Sequence, residues 1–374
     1  MKTVLVSGSS VAGTALAYWL REQGLTPVVV ERAPAQRRGG QAIDVRGAAL
    51  TVIRRMGLET QARALANHSD GMSVVDPAGN EVFRTEDFAL SSGSLDSDDI
   101  EILRDDLVDL MHARNDGIEY RYGDSIAAIH QEDDAVTVEF EHAAPRRFDL
   151  VVGADGLHSN TRRLAFGPEA DYIDHLGTYL SVFGQDNYLG LDRWQTWFND
   201  GRNGGAVMTV RDNAELRIYL GFASDPIEYD HRDTAAQKRL VAERVTGFGG
   251  DVPGFIERMW GAEDFYFDSM AQIRMDTWSA GRVVLVGDAA HCAAPTSGQG
   301  TSLALVGAYV LAYELGRTPD DHALAFARYE SRMRPFVEAN QKLAFIDRQT
   351  VDPEESARRT DAVKDLIDLD AAID

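Results

Sequence analysis

At 374 residues the chain is too long for one small core, and 44% hydrophobic residues with 33 dispersed glycines are the composition of a globular enzyme, not a fibrous or disordered chain. Lysine and arginine total 37 against 60 acidic residues, and the resulting charge of −23 repels a phosphate backbone, which excludes nucleic acid as a partner. The one cysteine, Cys292, excludes an internal disulfide framework and a multi-thiolate metal site and suits a reducing compartment. The opening apolar run, Val4-Leu5-Val6, is far below a signal-peptide core, and no stretch approaches the roughly 18 apolar residues of a membrane span. A cytoplasmic protein without membrane insertion is expected.

Thr3 to Ser7 reads as a short buried strand, Gly8 to Gly13 as a tight turn, and Thr14 to Gln23 as a helix closed near Gly24. Pro27-Val28-Val29-Val30-Glu31 is the continuous run of a strand buried on both faces, so the opening is a βαβ unit on a parallel sheet. The turn Gly8-Ser9-Ser10-Val11-Ala12-Gly13 matches G-x-G-x-x-G with Ser10 in the middle place. Gly8 permits the sharp turn, a small Ser10 lets backbone approach a pyrophosphate, and Gly13 allows close helix packing. Val11, Ala12 and the helix N-terminus add free N–H groups and partial positive charge. Glu31, 18 residues after Gly13, falls where an acid accepts hydrogen bonds from an adenosine ribose, with Arg32 beside it. The fingerprint predicts a dinucleotide and does not separate FAD from NAD.

Residues 37–47 read as a glycine-bracketed loop before a helix from 48 to 55. The alternating, turn-rich segment 71–99 reads as strands outside the parallel sheet. Residues 100–114 read as a helix, and 119–122, 126–130 and 135–140 as strand-like pieces. A strand and turn over 149–156 return to the first sheet. Between 171 and 268 the aromatic-rich runs 179–183, 195–198, 205–210 and 216–220 suit an antiparallel sheet. A last strand, 283–286, runs into Gly287-Asp288; a helix follows from about 300 to 315, and the tail is helical and charged.

The segment Gly153-Ala154-Asp155-Gly156-Leu157-His158-Ser159-Asn160-Thr161-Arg162 resembles the internal Asp-Gly motif of class A flavoprotein monooxygenases, with Asp155 as its acid. Gly287-Asp288-Ala289-Ala290-His291, followed by Pro295 and by Gly298-Gln299-Gly300, is similar to the second FAD motif of the same family. With the Gly8–Gly13 turn, three motifs stand in the family's order and spacing over roughly residues 1–335. The likeness is to the aromatic hydroxylases, nearest their short tetracycline-inactivating and polyketide-modifying branch.

The resemblance implies an α/β fold. A Rossmann-like FAD-binding domain of glutathione-reductase type, with a parallel sheet, would come from 1–70, 100–170 and 271–335. An inserted mixed or antiparallel substrate domain would come from 71–99 and 171–270, and a C-terminal helical segment from 336–374. Asp288 would hold the ribityl chain, and the helix from Gly300 would aim its dipole at the pyrimidine end of the flavin. Gly298, Gln299 and Gly300 would lie beside the ring. Arg104 would contact the phosphate or ribityl region. In the loop Gly39–Gly47, Asp44 or Arg46 would steer the ring or contact NAD(P)H.

FAD would be bound and NADPH or NADH transient. In the family the reduced flavin forms a C4a-hydroperoxide that passes one oxygen atom from O2 to the substrate, so no side chain is assigned as catalytic, and no metal. His291 and Cys292 are read as loop packing. A FAD-dependent dehydrogenase or reductase that inserts no oxygen is the alternative. Phe183, Trp197, Met208 and Tyr219 are the expected wall for a planar phenolic or polyketide substrate, in a monomer or weak homodimer. The chain departs from the family in lacking an acid near Val306-Gly307.

Overall fold

Val4, Leu5 and Val6 are wholly buried because their strand, Thr3–Ser7, lies inside a sheet covered on both faces. In the computed structural model, which describes residues 1–90, 93–95, 97–345 and 353–371, this sheet has six strands. Their order is Ser279–Ala280, Val283–Leu285, Leu150–Gly153, Thr3–Ser7, Thr26–Glu31 and Glu119–Tyr122. All neighbours are parallel except the short first pair. Alternate residues serve opposite layers, as the two-residue repeat of a strand requires. Val4, Val6, Val29 and Val152 pack under the helices Val11–Glu22 and Gly300–Arg317. Leu5, Val28, Val30 and Val151 pack against a three-stranded sheet of Ile126–Gln131, Val136–Phe140 and Arg146–Phe148.

The second sheet has seven strands, in the order Tyr266–Ile273, Ile173–Asp186, Glu215–Ala223, Asn203–Val210, Trp194–Asn199, Gly71–Val75 and Glu81–Thr85. It is antiparallel apart from the parallel pairing of Trp194–Asn199 with Gly71–Val75. One face carries Phe183, Phe198, Val207 and Ile218, which bury against Val241, Val245, Phe255 and Met259. Those partners come from the helices Thr234–Arg244 and Val252–Met259. The other face carries Trp197, Met208 and Tyr219 and meets Leu103 and Ala42 of the first lobe.

Three expectations are corrected. Ile100–Leu103 is a strand paired with Ala42–Val45, so the helix read over 100–114 begins at Arg104, and the loop over 37–47 contains a strand. The pairing is between segments far apart in sequence, which no local periodicity reveals. The region 171–270, where the sequence points only to separate β-like runs, also includes the two helices covering the outer face of the sheet. Asp233 caps the first of them, accepting from the Ala236 N–H at 2.8 Å. Of the segments read from sequence, 91, 92, 96, 346–352 and 372–374 lie outside the described residues.

The helix Gly300–Arg317 is held from behind. Its fully buried Glu314 meets Arg332 of the helix His322–Lys342 at 2.7 Å. Arg332 also donates to the carbonyls of Asp368 and Leu369, at 3.1 and 3.2 Å, tying down the chain end. Removing one partner of a buried ion pair strands the other charge, at a cost of about 3–5 kcal/mol. Arg332→Met is expected to destabilise the holoenzyme to urea by that amount, and adding Glu314→Gln to restore most of it. A loss below about 1 kcal/mol would show the pair to be dispensable.

Candidate active site

Two helices begin at the same end of the parallel sheet, and both begin uncapped. The helix Val11–Glu22 follows Ser10, which makes no side-chain cap bond, and the helix Gly300–Arg317 follows Gln299, which makes none either. Neither has an acidic residue in its first turn. Free N–H groups and the helix dipole therefore point outward at both places, an arrangement that attracts anions.

Small residues bring these ends together. Gly8 turns out of its strand at φ +105, where a Cβ would lie 2.4 Å from the Ala154 carbonyl oxygen. A Cβ on Gly13 would lie 1.9 Å from the Gly8 carbonyl oxygen. Gly287, at φ +65, would bring a Cβ to 2.9 Å from that of Ala12 and also touches Ala304, so it is the wedge between the two helices. The next residue, Asp288, has Oδ1 3.9 Å from where a side chain on Gly300 would begin, and nothing else lies that near. Burial pushes its carboxyl up to about 6, against a hydrogen bond from Cys292.

The glycine-rich turn ahead of the second helix is strained and polar. Ala294 is left-handed at φ +67, Pro295 is exposed, and Gly298 has φ +66. Gln299 is wholly buried, yet its Oε1 and Nε2 find no hydrogen-bond partner. His291 and Cys292 behave as the packing residues expected of them. Burial pushes His291 down to about 3, and the buried Cys292 thiol donates to the Ala271 carbonyl.

The loop read beside the ring is stitched between both lobes. Arg104 Nη2 donates to the Gly39 carbonyl at 2.7 Å, and Arg217 Nε to the Gly40 carbonyl at 3.1 Å. The Ala42 N–H donates to the Tyr219 hydroxyl at 3.1 Å, and the Arg46 N–H to Ser302 Oγ, in the first turn of the second helix, also at 3.1 Å. Asp44 and Arg46 form an ion pair at 3.0 Å; burial works against the guanidinium, but Asp44 outweighs it and raises its pKa. Burial lowers that of Arg104, with Asp105 opposing.

Two acids from the motifs accept hydrogen bonds from within the protein. Asp155 accepts from Ser7 Oγ, Ser159 Oγ and both the N–H and hydroxyl of Thr161, joining the first strand to the helix Asn160–Ala165. Glu31 accepts from the Ser9 N–H at 2.9 Å and the Ala33 N–H at 2.8 Å, bracing the Gly8–Gly13 turn. Arg32 is exposed and, with Arg37 and Arg232, lines a cavity of about 350 Å³.

Of the four substrate-wall candidates, Trp197, Met208 and Tyr219 share the face toward the first lobe. Phe183 does not; it is one register step out of phase, opposite Ile218, and 1% exposed in the core under the two helices. Sequence reading missed Arg217 and Gln195, which sit on the inward face beside Tyr219 and Trp197. Gln195 accepts from Trp197 Nε1 at 3.2 Å. A buried polar residue within an apolar strand was the available sign.

A family model described as an FAD binding domain matches residues 1–344. The chain belongs to this FAD-binding family. The uncharacterized protein Rv1260 of Mycobacterium tuberculosis is 50% identical over 344 residues, 92% of each chain. A flavin-dependent monooxygenase of Legionella longbeachae is 37% identical over 371 residues, 97% of this chain and 95% of the relative. The crystal structure of tetracycline destructase Tet(55) matches with a TM-score of 0.88 at 37% identity, covering 100% of this chain and 99% of that one. The protein is a FAD-dependent monooxygenase, and nothing in these likenesses favours the dehydrogenase alternative. No helix among the described residues is long and apolar enough to cross a membrane.

A dinucleotide's phosphates and sugar hydroxyls fit the uncapped helix ends and the Asp288 carboxylate. Because burial raises the pKa of Asp288 from 3.8 to about 6, the fold is unpenalised below about pH 4 and carries the cost of ionisation above about pH 6. Asp288→Asn removes that cost. The variant apoprotein is expected to be about 2–3 kcal/mol more stable to urea than the parent at about pH 7.5, and equal to it at about pH 4, while binding FAD at least ~10-fold more weakly. Unchanged FAD affinity would show that Asp288 does not hold the cofactor.

Proposed function

We propose that this monooxygenase uses NADPH to insert one oxygen atom, most often as a hydroxyl, into a planar phenolic or polyketide-like molecule of tetracycline size, acting in the cytoplasm as a monomer or weak homodimer. The observation that carries the reading is the inward face of the seven-stranded sheet, where Trp197, Met208 and Tyr219 lie across from the Ala42–Val45 ribbon. The likeness to a tetracycline destructase over the whole chain supports the substrate class.

FAD would be held at its pyrophosphate by the Gly8–Gly13 turn and the N–H groups of Val11 and Ala12, at its ribose by Glu31 and at its ribityl chain by Asp288. Gly298, Gln299 and Gly300 would flank its ring. When bound, it supplies the electron transfer and oxygen activation that no side chain provides. The chain's own residues supply position and a dry enclosure. Arg104 would contact the phosphate or ribityl region. The buried Asp44–Arg46 pair, fixed to Ser302 through the backbone, is a rigid charged edge beside the second helix. Tyr219 keeps the loop at a set height by accepting from Ala42; Trp197, half-buried, would offer apolar surface for a flat substrate, and Met208, 3% exposed, would back it.

The choice of NADPH over NADH rests on the cavity beside Glu31. Arg32, Arg37 and Arg232 line it with two acids, Asp124 and Glu141, and the carboxylate of Asp124 is already taken by the N–H groups of Ser125, His142 and Ala143. In a chain of charge −23, such a concentration of guanidinium groups favours the extra ribose phosphate.

The test is NADPH and NADH oxidation, with parallel peroxide assay, across phenols, anthraquinones and tetracyclines. At least one polycyclic compound is expected to accelerate NADPH oxidation about tenfold or more with little peroxide, and NADPH to be preferred over NADH by a similar factor in kcat/KM. Oxidation that no compound accelerates, or that ends wholly in peroxide, would overturn the substrate class. A preference for NADH would overturn the role of the arginine cavity.

A further inference from the structure

Two histidines and a carboxylate converge where the two lobes meet. His158 lies in the Asp-Gly motif, between the strand Leu150–Gly153 and the helix Asn160–Ala165. His231 precedes the helix Thr234–Arg244, and Asp268 lies in the strand Tyr266–Ile273. One donor atom from each lies within 4.8 Å of the other two. We propose that His158, His231 and Asp268 bind one divalent d-block cation, best matched by Zn²⁺, which links the Asp-Gly motif of the first lobe to the seven-stranded sheet.

The case rests on the surroundings of these three residues more than on their proximity. Metal-bound histidines hold their second ring nitrogen against a carboxylate, which fixes the tautomer and the direction of the first. His158 does this, with Nδ1 2.9 Å from Glu169 Oε1 and Nε2 turned toward Asp268 Oδ1, also at 2.9 Å. Glu169 is in turn held by the buried Arg162, whose Nη2 is 2.8 Å from Oε2. Asp268 is oriented by the hydroxyls of Tyr229 and Tyr266, at 3.1 and 3.0 Å, and by the Ser269 N–H at 2.8 Å. The His231 ring is confined between those of His158 and Tyr229, with centroids 4.2 and 4.5 Å away.

Ligand atoms about 2.0–2.2 Å from one tetrahedral ion stand roughly 3.3–3.6 Å apart. His158 Nε2 and Asp268 Oδ1, at 2.9 Å, must open by about half an ångström to admit the ion, and His231, exposed at the edge of the cluster, supplies the third ligand. Two imidazole nitrogens and one carboxylate oxygen are a donor set that zinc accepts with water in the fourth place. Burial lowers the pKa of His158, but Asp268 and Glu169 outweigh it and raise it to about 9, so a bound cation takes the place of the His158 proton between the two carboxylates. The exposed side of His231 is the entry path.

The experiment uses the FAD-loaded enzyme, stripped with a chelator and titrated with ZnCl₂ by calorimetry, and with CoCl₂ by ligand-field absorption. One Zn²⁺ per chain is expected, with the visible Co²⁺ bands of a four-coordinate site. His231→Ala, at an exposed position, is expected to weaken binding at least tenfold. Glu169→Gln, which removes no ligand, is expected to weaken it by about 10–100-fold. His142→Ala, on another exposed loop, is expected to leave it unchanged. The proposal is overturned if binding is not saturable at one per chain, or if His231→Ala and Glu169→Gln both bind Zn²⁺ as the parent does. Six-coordinate Co²⁺ spectra identical in parent and His231→Ala would overturn it equally.

Discussion

The close approach of two uncapped helix N-termini at one end of the parallel sheet is the constraint on which the rest of this structure depends. It is a steric matter before it is an electrostatic one. At Gly287 a single added carbon would strike Ala12, and at Gly13 it would strike the carbonyl of Gly8. With those carbons absent, Asp288 lies close to Gly300, at the start of the second helix. Two positive dipole ends and a buried acid then share a small region of a strongly negative molecule. The charge that repels anions elsewhere is locally reversed where a dinucleotide needs it.

The second sheet answers a different need with the same economy of residues. Its two faces differ by one step of register: Phe183, Phe198 and Ile218 bury under helices, while Trp197, Met208 and Tyr219 turn to the other lobe. Arg217 and Tyr219 reach across to the Gly39–Ala42 backbone, so the loop at the site is positioned by a sheet far from it in sequence. Local rules are broken in this neighbourhood. Ala294 is left-handed, and the buried amide of Gln299 has no partner. Such costs persist where function requires them and the surrounding packing offsets them.

What could be read without the structure follows from the range of each interaction. The strand Thr3–Ser7, the turn to Gly13, the strand ending at Glu31 and the helix from Gly300 are written locally, in runs of apolar residues and glycine spacing, and they were legible. The pairing of Ala42–Val45 with Ile100–Leu103 was not, because neither segment is periodic enough alone and the partner is remote. Phe183 and Met208 look alike as strand residues; only register separates the face under the helices from the face toward the first lobe. Asp155 was legible as part of a motif, but its hydrogen bonds to Ser7, Ser159 and Thr161 depend on where the next helix packs. Arg217 gave a weak sign, and the helices over 234–244 and 252–259 were hidden by the aromatic strands around them.

Oxygen insertion is the property that sets this enzyme apart from a flavin dehydrogenase of the same fold. The most direct measurement is turnover under ¹⁸O₂ with NADPH and the best polycyclic substrate, followed by mass spectrometry of the product. A single ¹⁸O atom per product molecule, with none acquired from labelled water, is the predicted result. A product that carries no label, or one that has only lost hydrogen, would contradict it and identify a flavin dehydrogenase built on the same fold.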